Sequence, residues 1–516
     1  MLTGDVDADV QIFSSALPSV VAIAESDGKA TVLVTEHYEK SDSFKAICSR
    51  LHTLGWKELN VQISTSGKIR EKYGIETDKN TDLTSKDDSS NSTHFDLIIS
   101  NALRRGASDV RFHVRPESCG ITFKIDGVMF HSESIPRKLG EDLCAHMYAN
   151  LAEKNSHEEG KTSFAPSIDQ SCTIERVIEG KLIKLRYQSL PEADGFDVNL
   201  RIQEQGERGI VPTLEEMGFP PSAINKLRKA MKRKRGMIVA NGPVGSGKTT
   251  TLYCMLYRPK DQRDMYIMTF EDPPEYRQYG VTRVPVAKIG YVQAGKAALR
   301  VGADIVLVGE VRNLEMGQMA QQLQDTGQKV LTTTHCNSAH LLIHRLTNQI
   351  GLSRQEICST DTIGLSFHQK LMPLLREHCK LPATPELLGD YFVQQLHRLE
   401  IPQAGIFVKN KSGCAHCNGG VKGRIPVIEI IEPDEEYMRL MRAELDYEAR
   451  DYWLSTCVSD LTTEDVHGKP VIANALYAAH QGLIDLTDIE RYIDDLENYT
   501  PTYRKKAAPT LRTVNE

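Results

Sequence analysis

Gly242-Pro243-Val244-Gly245-Ser246-Gly247-Lys248-Thr249 is the stretch whose reading decides the fold. It fits G-x-x-x-x-G-K-[ST], a loop whose glycines let successive backbone N–H groups turn onto phosphate oxygens. The apolar run Met237-Ile238-Val239-Ala240 precedes it, and a helix-capable run over 250–257 follows. Strand, loop and helix in that order aim a helix N-terminus, with its partial positive charge, at bound phosphate. Lys248 is expected to reach the β- and γ-phosphates of a nucleotide, and Thr249 to ligate Mg²⁺. The expected nucleotide-binding set is Gly242, Pro243, Val244, Gly245, Ser246, Gly247, Lys248, Thr249 and Thr250.

Downstream, apolar strands alternate with helical stretches through residue 334, which predicts a mainly parallel sheet with helices on both faces. Each later strand ends in polar groups. The run ending Thr269-Phe270-Glu271-Asp272 places two carboxylates at a strand's carboxyl end, where open α/β sheets bind ligands. One of them is positioned to deprotonate water. Ile305-Val306-Leu307-Val308-Gly309-Glu310 ends in an acid suited to the Mg²⁺ environment. Val330-Leu331-Thr332-Thr333-Thr334-His335 ends in a histidine that could sense phosphate or contact a neighbouring subunit, though a lone histidine is more often structural.

The chain has 516 residues, which allows about three domains. With 40% hydrophobic and 25% charged residues it is neither a collagen, a coiled-coil rod nor a wholly disordered chain. A net charge of −7 gives no electrostatic case for nucleic acid as the main partner. No apolar window is long enough for a membrane helix, and the acidic start does not read as a secretory signal. Eleven cysteines, mostly scattered, suit a reducing cytosol. Residues 1–75 read as a small α/β domain, with a strand over 30–35, helical spacing at Phe44, Ile47, Leu51 and Leu54, and a strand over 61–63. Residues 76–94, rich in Ser, Thr, Asp and Asn, read as a flexible linker. Residues 95–205 mix helix and strand and read as an α+β domain. Residues 206–516 read as the nucleotide domain, with a hinge over 205–211, a cysteine insert at about 376–425 and a mostly helical region over 340–500. The basic run over 226–235 reads as a solvated helix face, and Cys254 and Cys336 as packing residues.

The four motifs, in this order and spacing, resemble those of the secretion ATPase superfamily, and more closely the ATPases of type IV pilus assembly and type II secretion. GPVGSGKTTTLY at 242–253 resembles the family's Walker A, FEDPPEY at 270–276 its Asp box, LRVGADIVLVGEVR at 299–312 its Walker B, and VLTTTHCNSA at 330–339 its His box. RGASDVRFHV at 105–114 and FKIDGV at 123–128 are similar to signatures of the family's second N-terminal domain. That resemblance implies a RecA-like P-loop domain preceded by a PAS-like α+β domain. It implies Glu271 as general base, Glu310 as Walker B acid, His335 as the His-box residue, and Arg186 and Arg201 as arginines completing the ATP site. Two departures stand out: Arg111 and His113 replace the usual His and Glu, and Arg186-Tyr187-Gln188 replaces Arg-Val-Ser.

The resemblance further implies a cytoplasmic homo-hexamer that hydrolyses ATP with Mg²⁺ and drives an inner-membrane platform protein of a pilus or secretion machine. Such a protein joins the membrane through partners rather than inserting into it. Members of this branch usually carry two C-x₂-C pairs holding zinc. Here Arg376 stands where the first cysteine is expected, leaving Cys379, Cys414 and Cys417, with His378 or His416 for a fourth ligand. Pilus-retraction and conjugation or type IV secretion ATPases are the alternatives within the superfamily. The extra N-terminal unit and the Cys414–Cys417 knuckle argue against the first, and the acidic charge and pilus-type Asp box against the second. A non-hydrolysing nucleotide-dependent scaffold is the alternative outside it.

Overall fold

The computed structural model describes residues 20–24, 29–34, 58–64, 88–205 and 211–502, apart from 126, 154–155, 158–161, 257–264, 273, 275, 277, 360, 415–416 and 418. The expected helix at Phe44 to Leu54, most of the linker, and hinge residues 206–210 lie outside the described residues. The chain divides into two compact units, Met1–Glu207 and Arg208–Glu516.

In the first unit, β1 (Val20–Ala24) runs antiparallel to β2 (Lys29–Val34), which pairs in parallel with β3 (Glu58–Ile63). Helix α1 (Asp88–Arg104) begins inside the stretch expected as linker, so the expected boundary near 94 is corrected. Phe95, Ile98, Ile99 and Ala102 bury one face of α1. Once they nucleate the helix, extending it back through polar residues costs little. Six antiparallel strands follow: β4 (Ala107–Val114), β5 (Ser118–Ile125), β6 (Val128–Pro136), β7 (Gln170–Ile178), β8 (Lys181–Glu192) and β9 (Gly195–Gln205), in spatial order β6-β5-β4-β9-β8-β7. Alternate residues such as Val110, Phe112, Ile121, Phe123, Leu185 and Leu200 join one apolar core with α1 and α2 (Arg137–His146). Residues between them, such as Arg111, Thr122, Lys124, Arg186 and Arg201, lie on the opposite face, as period-two alternation requires.

The second unit opens with α3 (Pro221–Lys232), whose Ala223, Ile224 and Leu227 face the core. Lys226 and Arg233 are held by Glu432 at 2.8 and 3.1 Å. A seven-stranded sheet has the order β12-β11-β13-β14-β10-β15-β18. These strands are β10 (Met237–Asn241), β11 (Ile267–Glu271), β12 (Val281–Pro285), β13 (Ile305–Val308), β14 (Lys329–Thr334), β15 (Ile363–Leu375) and β18 (Val421–Ile431). All pairings are parallel except β15 with β18. Met237 and Val239 enter the core on one face, Ile238 and Ala240 the core on the other, so β10 is covered by apolar layers on both sides. A short ribbon of β16 (Leu381–Pro382) and β17 (Phe407–Val408) carries the cysteine insert.

β15 and β18 run through a region expected to be mostly helical. Both are buried along most of their length. Such strands lose period-two alternation and cannot be told from a buried helix by periodicity. The helical expectation holds beyond them, in helices Glu435–Arg442, Asp446–Ser455, Val471–His480 and Leu486–Tyr492. Among the described residues no helix is long and apolar enough to cross a membrane.

Candidate active site

The loop after β10 leads into α4 (Lys248–Leu256), giving the strand–loop–helix order read from the sequence. Gly242, Gly245 and Gly247 take φ of 146°, 77° and 82°, a region that disfavours side chains. A Cβ at Gly242 would stand 2.5 Å from the Gln369 carbonyl oxygen, and one at Gly247 2.9 Å from Gln369 Nε2. Lys248 is buried at the mouth of the loop, and its Nζ donates to the carbonyls of Gly242 and Pro243 at 2.7 and 2.9 Å. Ser246 Oγ is buried with no hydrogen-bond partner among the described residues. A buried hydroxyl left unpaired inside a glycine cradle fits a site built for an anionic ligand. Thr249 is half-buried in the first turn of α4, and Thr250 Oγ1 lies 2.7 Å from Tyr276 Oη of the Asp-box loop.

The strand order sets the polar strand ends in a row beside this loop. Gly309 N donates to Phe270 O at 2.8 Å, and a Cβ at Gly309 would meet that oxygen at 3.1 Å. The Walker B turn therefore sits directly against the Asp-box strand. Thr333 Oγ1 donates to Gly309 O at 2.7 Å, tying in the His-box strand. His335 then bridges two motifs. Its Nδ1 is 3.1 Å from Gly242 O and its Nε2 3.2 Å from Glu310 Oε1. Its two ring nitrogens thus face the phosphate loop on one side and the Walker B carboxylate on the other. Glu310 Oε2 also accepts from Arg312 Nε at 2.7 Å. Glu310 thus lies between the His335 ring and the Arg312 guanidinium.

Glu271 is 3% exposed and accepts a hydrogen bond from Tyr253 Oη of α4. Burial first, and then the Glu271 charge, push the Tyr253 hydroxyl well above the usual tyrosine range. Tyr253 therefore stays protonated as a donor and orients the carboxylate. Asp272, one residue on, is exposed.

Two expected site residues belong to the first unit. Arg186 and Arg201 are direct cross-strand partners on the polar face of the six-stranded sheet. Next in line across the sheet is Asp109, whose Oδ1 accepts from Arg201 Nε at 3.3 Å. The sheet therefore brings the two arginines together and Asp109 holds one of them. Arg111 donates to Asn199 Oδ1 at 3.1 Å, and His113 sits between Asp197 and Thr122, so both residues of the first departure have partners on the same face.

The three cysteines of the insert come together as expected. Cys414 and Cys417 sulfurs are 3.4 Å apart, Cys417 and Cys379 3.8 Å, and all three lie within 4.8 Å of one another. Thiolates at about 2.3 Å around a tetrahedral zinc stand roughly 3.8 Å apart, so the donor set fits that ion. Cys379 N donates to Arg376 O at 2.9 Å, so a turn persists where the fourth thiol is missing. His378 is exposed, and His416 lies outside the described residues. Cys254 and Cys336 are buried free thiols.

Sequence reasoning missed three residues here: Tyr253, Arg312 and Gln369. Gln369 is fully buried on β15, where its Nε2 donates to Ser246 O at 2.7 Å and its Oε1 accepts from Thr251 Oγ1 at 2.8 Å. The available signal was the polar triplet Ser366, His368 and Gln369 inside an apolar stretch.

Residues 84–473 match the profile of the family described as Type II/IV secretion system protein. Among curated relatives, type II secretion system protein E of Klebsiella pneumoniae is 30% identical over 70% of this chain and 70% of its own length. The protein of the same name in Xanthomonas campestris is 28% identical over 74% of this chain and 66% of its own. Type IV pilus assembly ATPase PilB of Pseudomonas aeruginosa is 26% identical over 77% and 66%. The chain thus spans about two thirds of the length of these relatives. Among solved structures, the pilus retraction motor PilT with bound ADP aligns with a TM-score of 0.50 at 21% identity, over 78% of this chain and 98% of that one. The Legionella pneumophila ATPase DotB aligns at 0.51 and 18%, over 77% and 94%. These likenesses show a P-loop ATPase fold. With its motifs in place around one strand-end site and its profile matched over most of its length, the chain belongs to the Type II/IV secretion system protein family.

Proposed function

We propose that this protein is the ATPase that powers type IV pilus assembly or type II secretion, and that it works as a ring at the cytoplasmic face of the inner membrane. The observation that carries this reading is the His335 bridge between Gly242 O of the phosphate loop and Glu310 of Walker B, with Glu271 on the adjoining strand. ATP binds on the loop with its phosphates toward Lys248 and Thr249. Glu271, oriented by Tyr253, takes a proton from the attacking water. Thr249 and Glu310 would hold Mg²⁺, which supplies neutralisation of charge on the β- and γ-phosphate oxygens. Arg186 and Arg201 are the arginines that would stabilise transition-state charge.

The domain reading is a small docking domain at 1–75, a linker at 76–94 shortened by α1, a PAS-like domain to 205 and a RecA-like ATPase domain from 206. Hydrolysis moves the second domain against the third and passes that motion to an inner-membrane platform protein. The working form is a homo-hexamer, and full activity belongs to the assembled ring. Phosphate release per chain is therefore expected to climb several-fold as protein concentration rises through ring assembly, and to climb again with the platform protein present. A rate negligible at every concentration, with the platform protein added, would defeat the motor reading.

Cys379, Cys414 and Cys417 would hold zinc, tying the β16–β17 ribbon to the β18 approach. Purified protein is then expected to carry about one zinc per chain, and a strong chelator to lower the melting temperature. Zinc well below one equivalent, with melting unchanged by chelator, would remove the site.

A further inference from the structure

We propose that Gln369 is a positioning residue for ATP hydrolysis, a clamp that sets the shape of the phosphate loop; this rests on the loop binding ATP. β15 is longer than its neighbour β10. Asn241, the last residue of β10, pairs with His368, so Gln369 is the first residue of β15 to run past the end of β10 and meet the loop. Its carboxamide uses both ends there. Nε2 donates to the carbonyl of Ser246 inside the loop, and Oε1 accepts from the hydroxyl of Thr251 in the first turn of α4. A side chain at either outer glycine of the motif would meet the same residue, its carbonyl oxygen at Gly242 and its Nε2 at Gly247.

The physical consequence follows from peptide geometry. Holding the Ser246 carbonyl toward Gln369 turns the peptide so that the following N–H, that of Gly247, points the opposite way. In a phosphate loop that direction is toward the bound phosphate, where the backbone N–H groups do their work. Thr251 ties the start of α4 to the same anchor, so loop and helix N-terminus keep one register. Gln369 therefore acts on phosphate through the loop and touches no reacting atom. It also gives the glycines at 242 and 247 a second reason to be glycine, because a side chain at either would collide with the clamp. The anchor is a buried, doubly satisfied amide, the kind of group whose loss leaves a partner unpaired.

The test uses the full chain with Gln369→Met, which keeps the shape and loses both bonds. Gln369→Glu, which still accepts from Thr251 but cannot donate to Ser246, is made alongside, as is Thr251→Val alone and combined with Gln369→Met. ATP affinity, kcat and KM for MgATP, and nucleotide-free melting are measured on each. A clamp predicts that Gln369→Met weakens ATP binding and lowers kcat/KM by about tenfold or more at temperatures well below melting. Gln369→Glu is expected to lose a similar factor, and the double variant to lose little more than Gln369→Met alone, because both bonds belong to one device. Lower melting with ATP affinity and kcat/KM unchanged in Gln369→Met and Gln369→Glu would make the residue structural only and overturn the proposal. If Gln369→Met does not fold, the Gln369→Glu result decides. Wild-type protein that binds no ATP would instead overturn the ATPase reading itself.

Discussion

Lys248→Ala is expected to lower ATP hydrolysis by roughly 10³-fold or more. The Nζ group is buried at the loop mouth and holds the carbonyls of Gly242 and Pro243, so it already sits where phosphate charge arrives. On the proposed mechanism its removal takes away the cation that stabilises the transferred phosphoryl group, and it leaves those two carbonyls without their ammonium donor. His335 still donates to Gly242, so the loop keeps one tie to the His box and its fold survives. Steady-state phosphate release, with melting measured alongside, checks this. A folded Lys248→Ala protein that turns over ATP at near wild-type rate would show that the loop is not the hydrolytic site.

Much of this site was legible in the sequence because each piece is local. A phosphate loop needs glycines at fixed offsets, and a strand followed by an acid needs only a short run to be seen. Glu271, Glu310 and His335 were each readable as strand ends, and the parallel sheet then sets those ends side by side. His335 shows the limit. From residues alone a structural role was favoured; the family resemblance made it the His-box residue, and the structure adds its place between Gly242 and Glu310. Tyr253 and Gln369 were invisible for a related reason. Each is defined by a partner far along the chain, Glu271 for one and Ser246 for the other. No spacing rule connects them. The fold was misread where burial erased periodicity, in β15 and β18, and where a polar segment joined a helix nucleated further on, at Asp88. Arg186 and Arg201 drew their role from the family resemblance, and the antiparallel register of β8 and β9 adds that they stand side by side.

Glu271→Gln carries the second large effect. The amide keeps the size of the carboxylate and still accepts from Tyr253, but it cannot take a proton from water. General-base loss of this kind lowers turnover by about 10²–10⁴-fold. The proposal assigns nucleotide binding to the loop, Lys248 and the α4 N-terminus, so ATP affinity is expected to stay within a few-fold of wild type. Tyr253→Phe is the milder companion: the base remains but is no longer oriented, and a loss nearer tenfold is expected. The most direct measurement is phosphate release from MgATP by wild-type and Glu271→Gln chains, with ATP binding determined on the same samples. The account predicts robust hydrolysis by the wild type, and a Glu271→Gln protein that binds ATP but falls to background turnover. Equal turnover by the two proteins would contradict it.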